Sequence, residues 1–420
     1  MPLVSTTMYK KIRLLGFIWL LMITLAKAQT INSPYSRYGL GDVVPSQNIL
    51  TRGMGGISAA YYDFNTINFL NPASYARLRP TSLDIGLELD NRTLRSTDPP
   101  RKFNAYSPTI SYVQFAFPIK KGGGWGINLG LRPITRINYK IGRPEFIPGV
   151  DSVNTIFEGS GGAYEAHVGT GFTIVKDLTF GINVGYLFGS KDFSTRRQIS
   201  NDTVFHYMSN HETKSNYGGL VTDAGLQYTL KLKKDVYIRM GAHGSLKRTF
   251  NGTRDIIRET FSYSATGAPN SVDSVYHEND IEGDVVYPAS YGAGVIFDKV
   301  GKFLIGVDYN TTQWKDYRFF GESEPVRNSW TAHLGGQLFP TQGKSYWSRV
   351  LYRGGFSLGT DYINLNEDLN KWAASLGFGL PMRPPAYSNQ FSVINLSLEF
   401  GQRGNTIWRS EERRVGKECR

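Results

Sequence analysis

The chain has 420 residues, a formal net charge of +12, a mean hydropathy of −0.30 and one cysteine, Cys419. Beyond the first 28 residues, no segment reaches the roughly 18 consecutive apolar residues that a transmembrane helix needs, so composition excludes a helical membrane protein. It does not exclude a transmembrane β-barrel, because alternating strands give only a weak hydropathy signal.

Residues 1–28 have the pattern of a secretory signal peptide. Basic residues at Lys10, Lys11 and Arg13 precede an apolar run at 14–25, and Ala-Lys-Ala at 26–28 forms a small-residue cleavage site. The sequence therefore predicts export and a mature chain that begins at residue 29. The alternative is an N-terminal membrane anchor, for which the run is short.

Residues 29–78 do not alternate as a barrel strand does. They contain SPYSRYGLGD at 33–42, RGMGG at 52–56 and FLNPASYA at 69–76. A barrel of more than about eight strands has a lumen that wall side chains do not fill, and a folded segment inside it is a common solution. We expect residues 29–78 to form a plug, or hatch. The alternative of a disordered leader conflicts with their Tyr, Phe and Leu content.

Residues 178–189, LTFGINVGYLFG, show the pattern that dominates the rest of the chain. The even positions from Leu178 to Phe188 are large and apolar, whereas the odd positions from Thr179 to Gly185 are small or polar. An extended strand places these two sets on opposite faces. A soluble sandwich also alternates, but its core would have to bury the charged residues that recur on the polar faces.

Thirteen such strands are predicted, each long enough to cross a bilayer when tilted. They are expected near 81–90, 107–119, 125–138, 163–175, 178–190, 214–231, 235–249, 286–297, 302–316, 327–338, 350–360, 370–380 and 390–402. The predicted fold is all-β: a transmembrane antiparallel β-barrel over residues 79–408, with the N-terminal plug in its lumen.

The predicted connections alternate in length, as in bacterial outer-membrane barrels. Long connections are expected at 91–106, 139–162, 191–213 and 250–285, and short ones at 120–124, 176–177, 232–234 and 298–301. Bacterial barrels have even strand numbers and return to the periplasm. We therefore expect 14 strands, of which the last is missing from this sequence.

Residues 409–420 are expected to be foreign to the protein. The run RSEERRVGKEC resembles the translation of a sequencing adapter, and the alternative is a charged tail. Removing its net two positive charges and the four basic residues of the leader lowers the +12 to about +6. That charge is scattered, which argues against a nucleic-acid partner. The native chain would then contain no cysteine.

The Gly-rich run before Asn71-Pro72-Ala73 resembles the hatch of FadL/TodX-type outer-membrane transporters of hydrophobic compounds. The runs YPASYGAGVIF (287–297), GVDYNTTQWKDY (306–317), YRGGFSLG (352–359) and LGFGLP (376–381) resemble later strands of that family, in the same order. The resemblance covers residues 30–402. It implies a 14-stranded barrel with a hatch and a kinked third strand that opens the wall sideways.

The candidate ligand or gating residues fall into three groups. Pro133 interrupts the third predicted strand and, with Gly130 and Arg132, is expected to shape a lateral gap, unless the strand simply ends there. Asn71, Pro72 and Ala73 are expected to form a turn beside the ligand path, or a turn with no ligand contact. Cationic residues expected to face the lumen are Arg132, His167, Arg239, His243 and Arg353.

A cation facing the lumen could hold a carboxylate headgroup. The alternative is pairing with wall acids such as Glu88, Glu165 and Asp308. We find no catalytic motif, no metal-ligand cluster and no cofactor signature in the sequence.

The sequence therefore predicts a passive outer-membrane channel for hydrophobic small molecules such as long-chain fatty acids, in a Gram-negative bacterium. Its partners would be outer-membrane lipid and an apolar ligand. The alternative is a subunit of a protein-secretion machine that binds proteins. A continuous apolar tunnel would favour the channel, whereas a lumen filled by plug and charged pairs would favour protein binding.

Overall fold

The computed structural model describes residues 33–97, 100–120, 122–148, 151–199, 206–264, 269–340, 345–365, 368–382 and 391–404. The expected signal peptide, the adapter-like run and the expected fourteenth strand lie outside these residues. In the described ranges, no helix has the length and apolar character needed to cross a membrane.

The sheet has 17 antiparallel strands in the described ranges. They are β1 Asp42–Val43, β2 Ser82–Thr97, β3 Pro100–Pro118, β4 Trp125–Ile147, β5 Asp151–Val175, β6 Leu178–Ile199, β7 Met208–Lys233, β8 Val236–Ser245, β9 Arg248–Tyr263, β10 Pro269–Tyr287, β11 Ser290–Lys299, β12 Phe303–Thr312, β13 Arg318–Phe319, β14 Ser329–Leu338, β15 Leu351–Asn364, β16 Asp368–Pro381 and β17 Val393–Arg403.

The described helices are short. They are α1, Ile49–Arg52, and the 3-10 helices Pro34–Arg37, Pro72–Arg77, Trp314–Asp316 and Trp347–Arg349.

The wall of the barrel follows the chain from strand to strand. Antiparallel pairs join β2 successively to β3, β4, β5, β6 and β7. β8 and β9 pair with different halves of β7 and together form one wall strand, as β10 and β11 do beside them. The wall continues through β12, β14, β15 and β16 to β17. All thirteen strands predicted from the sequence are thus present in the wall.

The long connections predicted at one end of the barrel are wrong. Most of residues 91–106, 139–162, 191–213 and 250–285 belong to extended, paired strands. These ranges are rich in polar residues, which a paired sheet accommodates on its solvated face, while apolar residues such as Tyr139, Phe157 and Phe261 are buried. The end of the barrel at which these strands extend is hereafter the hairpin end. The other is the turn end, where the predicted tight turn at 176–177 is confirmed by Asp177 at φ 69°.

The two faces of the wall are chemically distinct. On β6, Asn183 is 2% exposed and faces the lumen, whereas Tyr186 is 51% exposed on the outside. Other outward apolar side chains include Leu87, Leu131, Val168, Leu220, Ile305, Leu376 and Leu398. An apolar outer face around a polar lumen is the arrangement of a membrane-spanning barrel.

Residues 33–78, hereafter the plug, lie inside this wall. Asn183 of β6 donates to the carbonyl of Phe69, and Asp308 of β12 accepts from the amides of Ser58 and Ala59 at 2.5 and 2.7 Å. On another side, Ser375 of β16 accepts from the Gly55 amide at 2.8 Å. Because wall strands on several sides bond to the plug backbone, the plug fills the lumen at this level.

Candidate functional site: the plug and a gap in the wall

Asn71 fixes the turn that begins the helix Pro72–Arg77. Its Oδ1 accepts from the amide of Ala73 at 3.2 Å. Its Nδ2 lies 2.6 Å from the carbonyl oxygen of Ala59, and 3.3 Å from those of Leu226 and Ala242. One buried amide therefore ties two parts of the plug to β7 and β8.

Wall glycines let the plug approach at this turn. A Cβ at Gly181 would lie 2.3 Å from the carbonyl oxygen of Pro72, and one at Gly225 would lie 2.0 Å from Oδ1 of Asn71. The structure thus brings the predicted residues Asn71, Pro72 and Ala73 together at the contact between plug and wall.

Arg132 and His167 belong to one buried polar group. Nη2 of Arg132 lies 2.9 Å from Oε2 of Glu165, and Nδ1 of His167 lies 3.2 Å from Oε1 of the same carboxylate. His167 also contacts Asn128, whose amide donates to Gln114 at 2.8 Å. Arg132 of β4 is therefore ion-paired with a residue of the neighbouring strand β5.

The other cations differ in their partners. Arg239 pairs with Asp298, donates to the carbonyl of Tyr62 at 2.8 Å and stacks over the Tyr62 ring. His243 contacts Asn310 at 3.2 Å. Arg353 is 5% exposed and donates to side-chain amide oxygens, those of Gln337 at 2.6 Å and Asn395 at 2.9 Å. Among the described residues, no carboxylate lies within ion-pair distance of the Arg353 guanidinium.

The wall is interrupted between β3 and β4. Their pairing runs from Pro118–Gly126 at the turn end to Val113–Leu131 and stops there. β4 then continues to Ile147 paired with β5, with a bulge between Pro133 and Thr135. Proline lacks the amide hydrogen that a ladder needs, and a bulge bends the strand, so β3 and β4 separate beside Pro133.

Gly130 is paired with Gln114, next to the last β3–β4 pair before the interruption. A Cβ there would lie 2.2 Å from Oε1 of Gln114 and 2.5 Å from Cε1 of His167. The three residues expected to shape a gap, Gly130, Arg132 and Pro133, therefore lie on either side of Leu131, the residue at which the pairing of β3 with β4 stops.

The plug covers the edge of β4 that the gap exposes. The short strand β1 pairs with β4, with Asp42 opposite Arg136 and Val43 opposite Thr135. The amide of Val44 donates to the carbonyl of Ile134 at 2.9 Å, and that of Ser33 donates to Asn138 at 2.9 Å. Residues 33–44, hereafter the sealing segment, thus take the place beside β4 that β3 has left.

Two plug side chains bridge the first and last strands of the wall. Asp42 accepts from Arg92 of β2 at 3.0 Å and from Arg403 of β17 at 2.5 Å. Arg52 lies 3.0 Å from Glu88 of β2 and 3.4 Å from Glu399 of β17. One acidic and one basic residue of the plug therefore each form ion pairs with both β2 and β17.

The contact of Asp42 with Arg92 and Arg403, hereafter the Asp42 clamp, depends on the charge of the Asp42 carboxyl group. Burial opposes ionisation of the Asp42 carboxyl, but the guanidinium groups of Arg403 and Arg92 outweigh it and hold its pKa below its usual range. The carboxylate stays ionised at neutral pH, and the clamp stays closed.

A second anchor holds the sealing segment near the hairpin end. Glu324 accepts from the amide of Gly39 at 2.6 Å and pairs with Lys191, whose ammonium donates to the Gly39 carbonyl at 3.0 Å. The hydroxyl oxygen of Tyr362 lies 2.8 Å from the carbonyl oxygen of Tyr38 and 2.6 Å from that of Gly41, and it donates its one hydrogen to either. Three side chains of the wall and its loops, those of Lys191, Glu324 and Tyr362, therefore form hydrogen bonds with the backbone of residues 38–41.

Two concave regions flank the gap. A depression of about 540 Å³ lies on the outer face of the wall and includes Val113, Leu131, Val168 and Tyr186 in its lining. A polar cavity of about 40 Å³ lies between plug and wall, lined partly by Asp42, Arg92 and Arg136. Neither is an apolar tunnel through the plug.

Sequence reasoning missed the anchors of the plug and of its sealing segment. Asp42, Arg52, Lys191, Glu324 and Tyr362 lie in segments far apart along the chain, so spacing gives no sign that they meet. The available signal was composition, because Asp42 directly follows the Gly-containing run at 39–41 and Arg52 directly precedes the run at 53–56 of the expected plug.

Comparison with known proteins places the fold. The chain is similar to the CymD monoaromatic hydrocarbon channel (15% identity, TM-score 0.50, 87% of this chain and 94% of that one). It is also similar to a Pseudomonas aeruginosa FadL homologue (11%, 0.50, 86% and 91%) and to a TodX deltaS2S3 mutant monoaromatic hydrocarbon channel (14%, 0.50, 85% and 98%). No curated protein matches the sequence.

These likenesses confirm a FadL-like barrel, as the sequence resemblance implied, but the family differs from the one expected. The sequence model that matches is that of BamG, over residues 8–409. The chain belongs to the BamG family, with a FadL-like β-barrel fold.

Proposed function

We propose that the protein is an outer-membrane channel for hydrophobic small molecules, held here in a closed state. The observation that carries this proposal is the interruption of the wall between β3 and β4, covered by the sealing segment. A solute that enters from the hairpin end would leave sideways once this segment moves. The apolar depression on the outer face begins at Val113 and Leu131, the last β3–β4 pair, and gives an apolar solute a favourable exit.

Three solved structures with the same fold support the substrate class. Two of them are monoaromatic hydrocarbon channels, and the third is a FadL homologue. For this chain, we propose apolar molecules, including long-chain fatty acids. No enzymatic activity is proposed.

Arg353 is the proposed site for a carboxylate headgroup. Arg132 and Arg239 already pair with Glu165 and Asp298, which leaves them little capacity for another anion. Arg353 is bonded to neutral amides and interacts with the Asp63 carboxylate of the plug only beyond ion-pair distance, so its charge is more available to a carboxylate than that of Arg132 or Arg239.

A second function, the binding of a protein partner, is favoured by two observations. The plug is joined to the wall by polar contacts, and neither of the two concave regions formed by the described residues is an apolar tunnel through it. Beyond the gap, β4, β5, β6, β7, β9 and β10 continue as a paired sheet well past the roughly 10 residues that a membrane crossing needs. Such an extension offers a surface to a partner at the membrane.

Native mass spectrometry of the detergent-purified protein distinguishes the two functions. An adduct with the mass of a fatty acid or another apolar molecule supports the channel, and an Arg353→Gln variant should lose a fatty-acid adduct but keep an uncharged one. A protein that carries no small molecule and co-purifies with a stoichiometric partner chain contradicts the channel and supports the second function.

A further inference from the structure

We propose that the turn end of the barrel carries a binding site for the headgroup of an anionic phospholipid, formed by Lys233 and Lys299 on the outer face of the wall. The turn end faces the periplasm, because the tight turns of bacterial barrels lie on that side of the membrane. The site lies outside the lumen, the plug and the gap, so it does not depend on the proposed function.

Lys233 and Lys299 lie in one row across three neighbouring strands. Val236 of β8 is paired on one side with Lys233 of β7 and on the other with Lys299 of β11. Directly paired residues point to the same face of a sheet, and neighbouring strands lie about 4.8 Å apart, so the Cα atoms of the two lysines are about 10 Å apart. Two long, flexible ammonium side chains at this spacing can contact one phosphate group.

The lysine row lies next to an apolar row that faces lipid. Ile238, two residues after Val236 on β8, is paired with Leu230 and with Phe297, whose side chains are 39% and 40% exposed. The lysine row is two residues, or about 7 Å, closer to the turn end than this apolar row. A change from apolar to cationic side chains over this distance places the ammonium groups where the hydrocarbon of the membrane ends and the phosphate groups begin.

A bulge in β7 gives Lys233 this orientation. Strict alternation from the outward residue Leu230 would place residue 233 on the lumen side of the wall. The register shifts between Lys231 and Lys233, so Lys233 is paired with Val236 and shares its face. Bulges re-aim side chains in this way, and here the bulge directs a second cation toward lipid.

Two further lysines add to the positive charge of the row. Lys234 and Lys302 are exposed in the turns that follow β7 and β11, and these turns are joined by a hydrogen bond of 2.9 Å from the Val300 amide to the Asp235 carbonyl. Among the described residues, none of the four ammonium groups lies within ion-pair distance of a carboxylate. The neighbouring Asp298 is turned to the lumen, where it pairs with Arg239.

An anionic phospholipid matches both parts of this surface. Its phosphate group would contact the lysines, and its acyl chains would cover Leu230 and Phe297. A soluble phosphate would use the lysines alone, and an acidic protein would have to reach an outer face that lipid covers. Clusters of basic residues at a membrane surface attract anionic headgroups, whereas a zwitterionic headgroup carries an ammonium group that the four lysines repel.

Lipid titration followed by native mass spectrometry tests the proposal on the detergent-purified protein. The lipids are phosphatidylglycerol and phosphatidylethanolamine with the same acyl chains. We expect the parent protein to bind phosphatidylglycerol at least tenfold more tightly than phosphatidylethanolamine, and the double variant Lys233→Gln/Lys299→Gln to bind the two equally.

The matched control is Lys140→Gln/Lys214→Gln, which removes the same charge near the hairpin end, where these lysines pair with Glu158 and Glu212. It should keep the preference of the parent within twofold. Heat-modifiable electrophoretic mobility establishes that each variant is folded. If the double variant at the row does not fold, Lys299→Gln alone should lower the preference at least threefold.

Equal affinity of the parent for the two lipids would overturn the proposal, as would a folded row variant that keeps the full preference. Binding of glycerol phosphate as tightly as phosphatidylglycerol would also overturn it, because the apolar row would then contribute nothing. A partner protein that is lost from the row variant, without any lipid preference in the parent, would assign the lysines to an acidic protein surface instead.

Discussion

Replacement of Asp42 by Asn should loosen the sealing segment by a predictable amount. The Asp42 carboxylate is 7% exposed and accepts charge-assisted bonds from Arg403 and Arg92. Such a bond contributes about 1.5–3 kcal/mol when it is buried, whereas an exposed pair contributes about 1 kcal/mol or less. The Arg92 side chain is 41% exposed and that of Arg403 is 26% exposed, so we assign most of the energy to Arg403 and expect a total of about 2–4 kcal/mol.

Hydrogen exchange measures this loss directly. The amides of Gly41 and Val44 bond to Tyr38 and Ile134 and exchange only when the segment opens. Since about 1.4 kcal/mol corresponds to a tenfold change in an equilibrium constant, Asp42→Asn should accelerate their exchange roughly 30- to 700-fold. Asp90→Asn is the matched control, because Asp90 pairs with the same Arg92 but is not part of the segment. Exchange at Gly41 and Val44 within threefold of the parent protein would refute the clamp.

Further predictions concern the plug and the pH dependence of the clamp. Asn71→Ala removes an N-cap and leaves buried carbonyls without a donor, so it should lower the free energy of unfolding by about 2–4 kcal/mol in a urea titration. The control Asn65→Ala removes only a local contact in the plug and should change that free energy by less than about 1 kcal/mol. Gly225→Ala should cost about 1–3 kcal/mol because its Cβ would lie 2.0 Å from Oδ1 of Asn71; the double variant with Asn71→Ala should cost less than the sum, and strict additivity would contradict the contact. The folded-state pKa of Asp42 is lowered, so the stabilisation by its carboxylate is fully present above the unfolded value of about 4 and is lost as the pH falls through the lower folded value. Hydrogen exchange at Val44 should therefore stay slow from pH 7 to about 5 and accelerate only in stronger acid. Acceleration already near pH 6 would mean that another group controls the segment.

The wall was predictable because its signal is local. A strand such as β6 shows its two faces in consecutive residues, and the thirteen predicted strands needed only that alternation. Pro133 also gives a local signal, since proline weakens a sheet ladder regardless of what surrounds it.

The hairpin extensions and the seal were not predictable in the same way. Residues 139–162 alternate only over a few positions, such as Tyr139 and Ile141 against Lys140, and Gly142 and Pro144 then interrupt the pattern. Their pairing with neighbouring strands supplies the stabilisation that the sequence does not show. β1 has two residues, Asp42 and Val43, which is too short for any period. Its strand conformation exists because β4 has a free edge beside it, and that edge is a property of the assembled barrel.

The cationic candidates show the same limit. The sequence identifies Arg132, Arg239 and Arg353 as lumen-facing, because alternation fixes the face. Whether each one has an acidic neighbour depends on the register of the adjacent strand and on where the plug lies. Glu165 pairs with Arg132 across the β4–β5 ladder, whereas Arg353 donates to two neutral amides and has the plug residue Asp63 only at longer range.

The most direct test of the account is uptake of labelled naphthalene by Gram-negative cells whose only hydrophobic-compound channel is this protein, with the sealing segment locked or free. Val43→Cys and Thr135→Cys, paired residues of β1 and β4, provide the lock as a reducible disulfide in a Cys419→Ser background. The account predicts that the oxidised variant takes up naphthalene no faster than cells without the protein, and that reduction restores the rate of the unlocked parent. Equal uptake in the oxidised and reduced states would contradict the claim that this segment closes the exit.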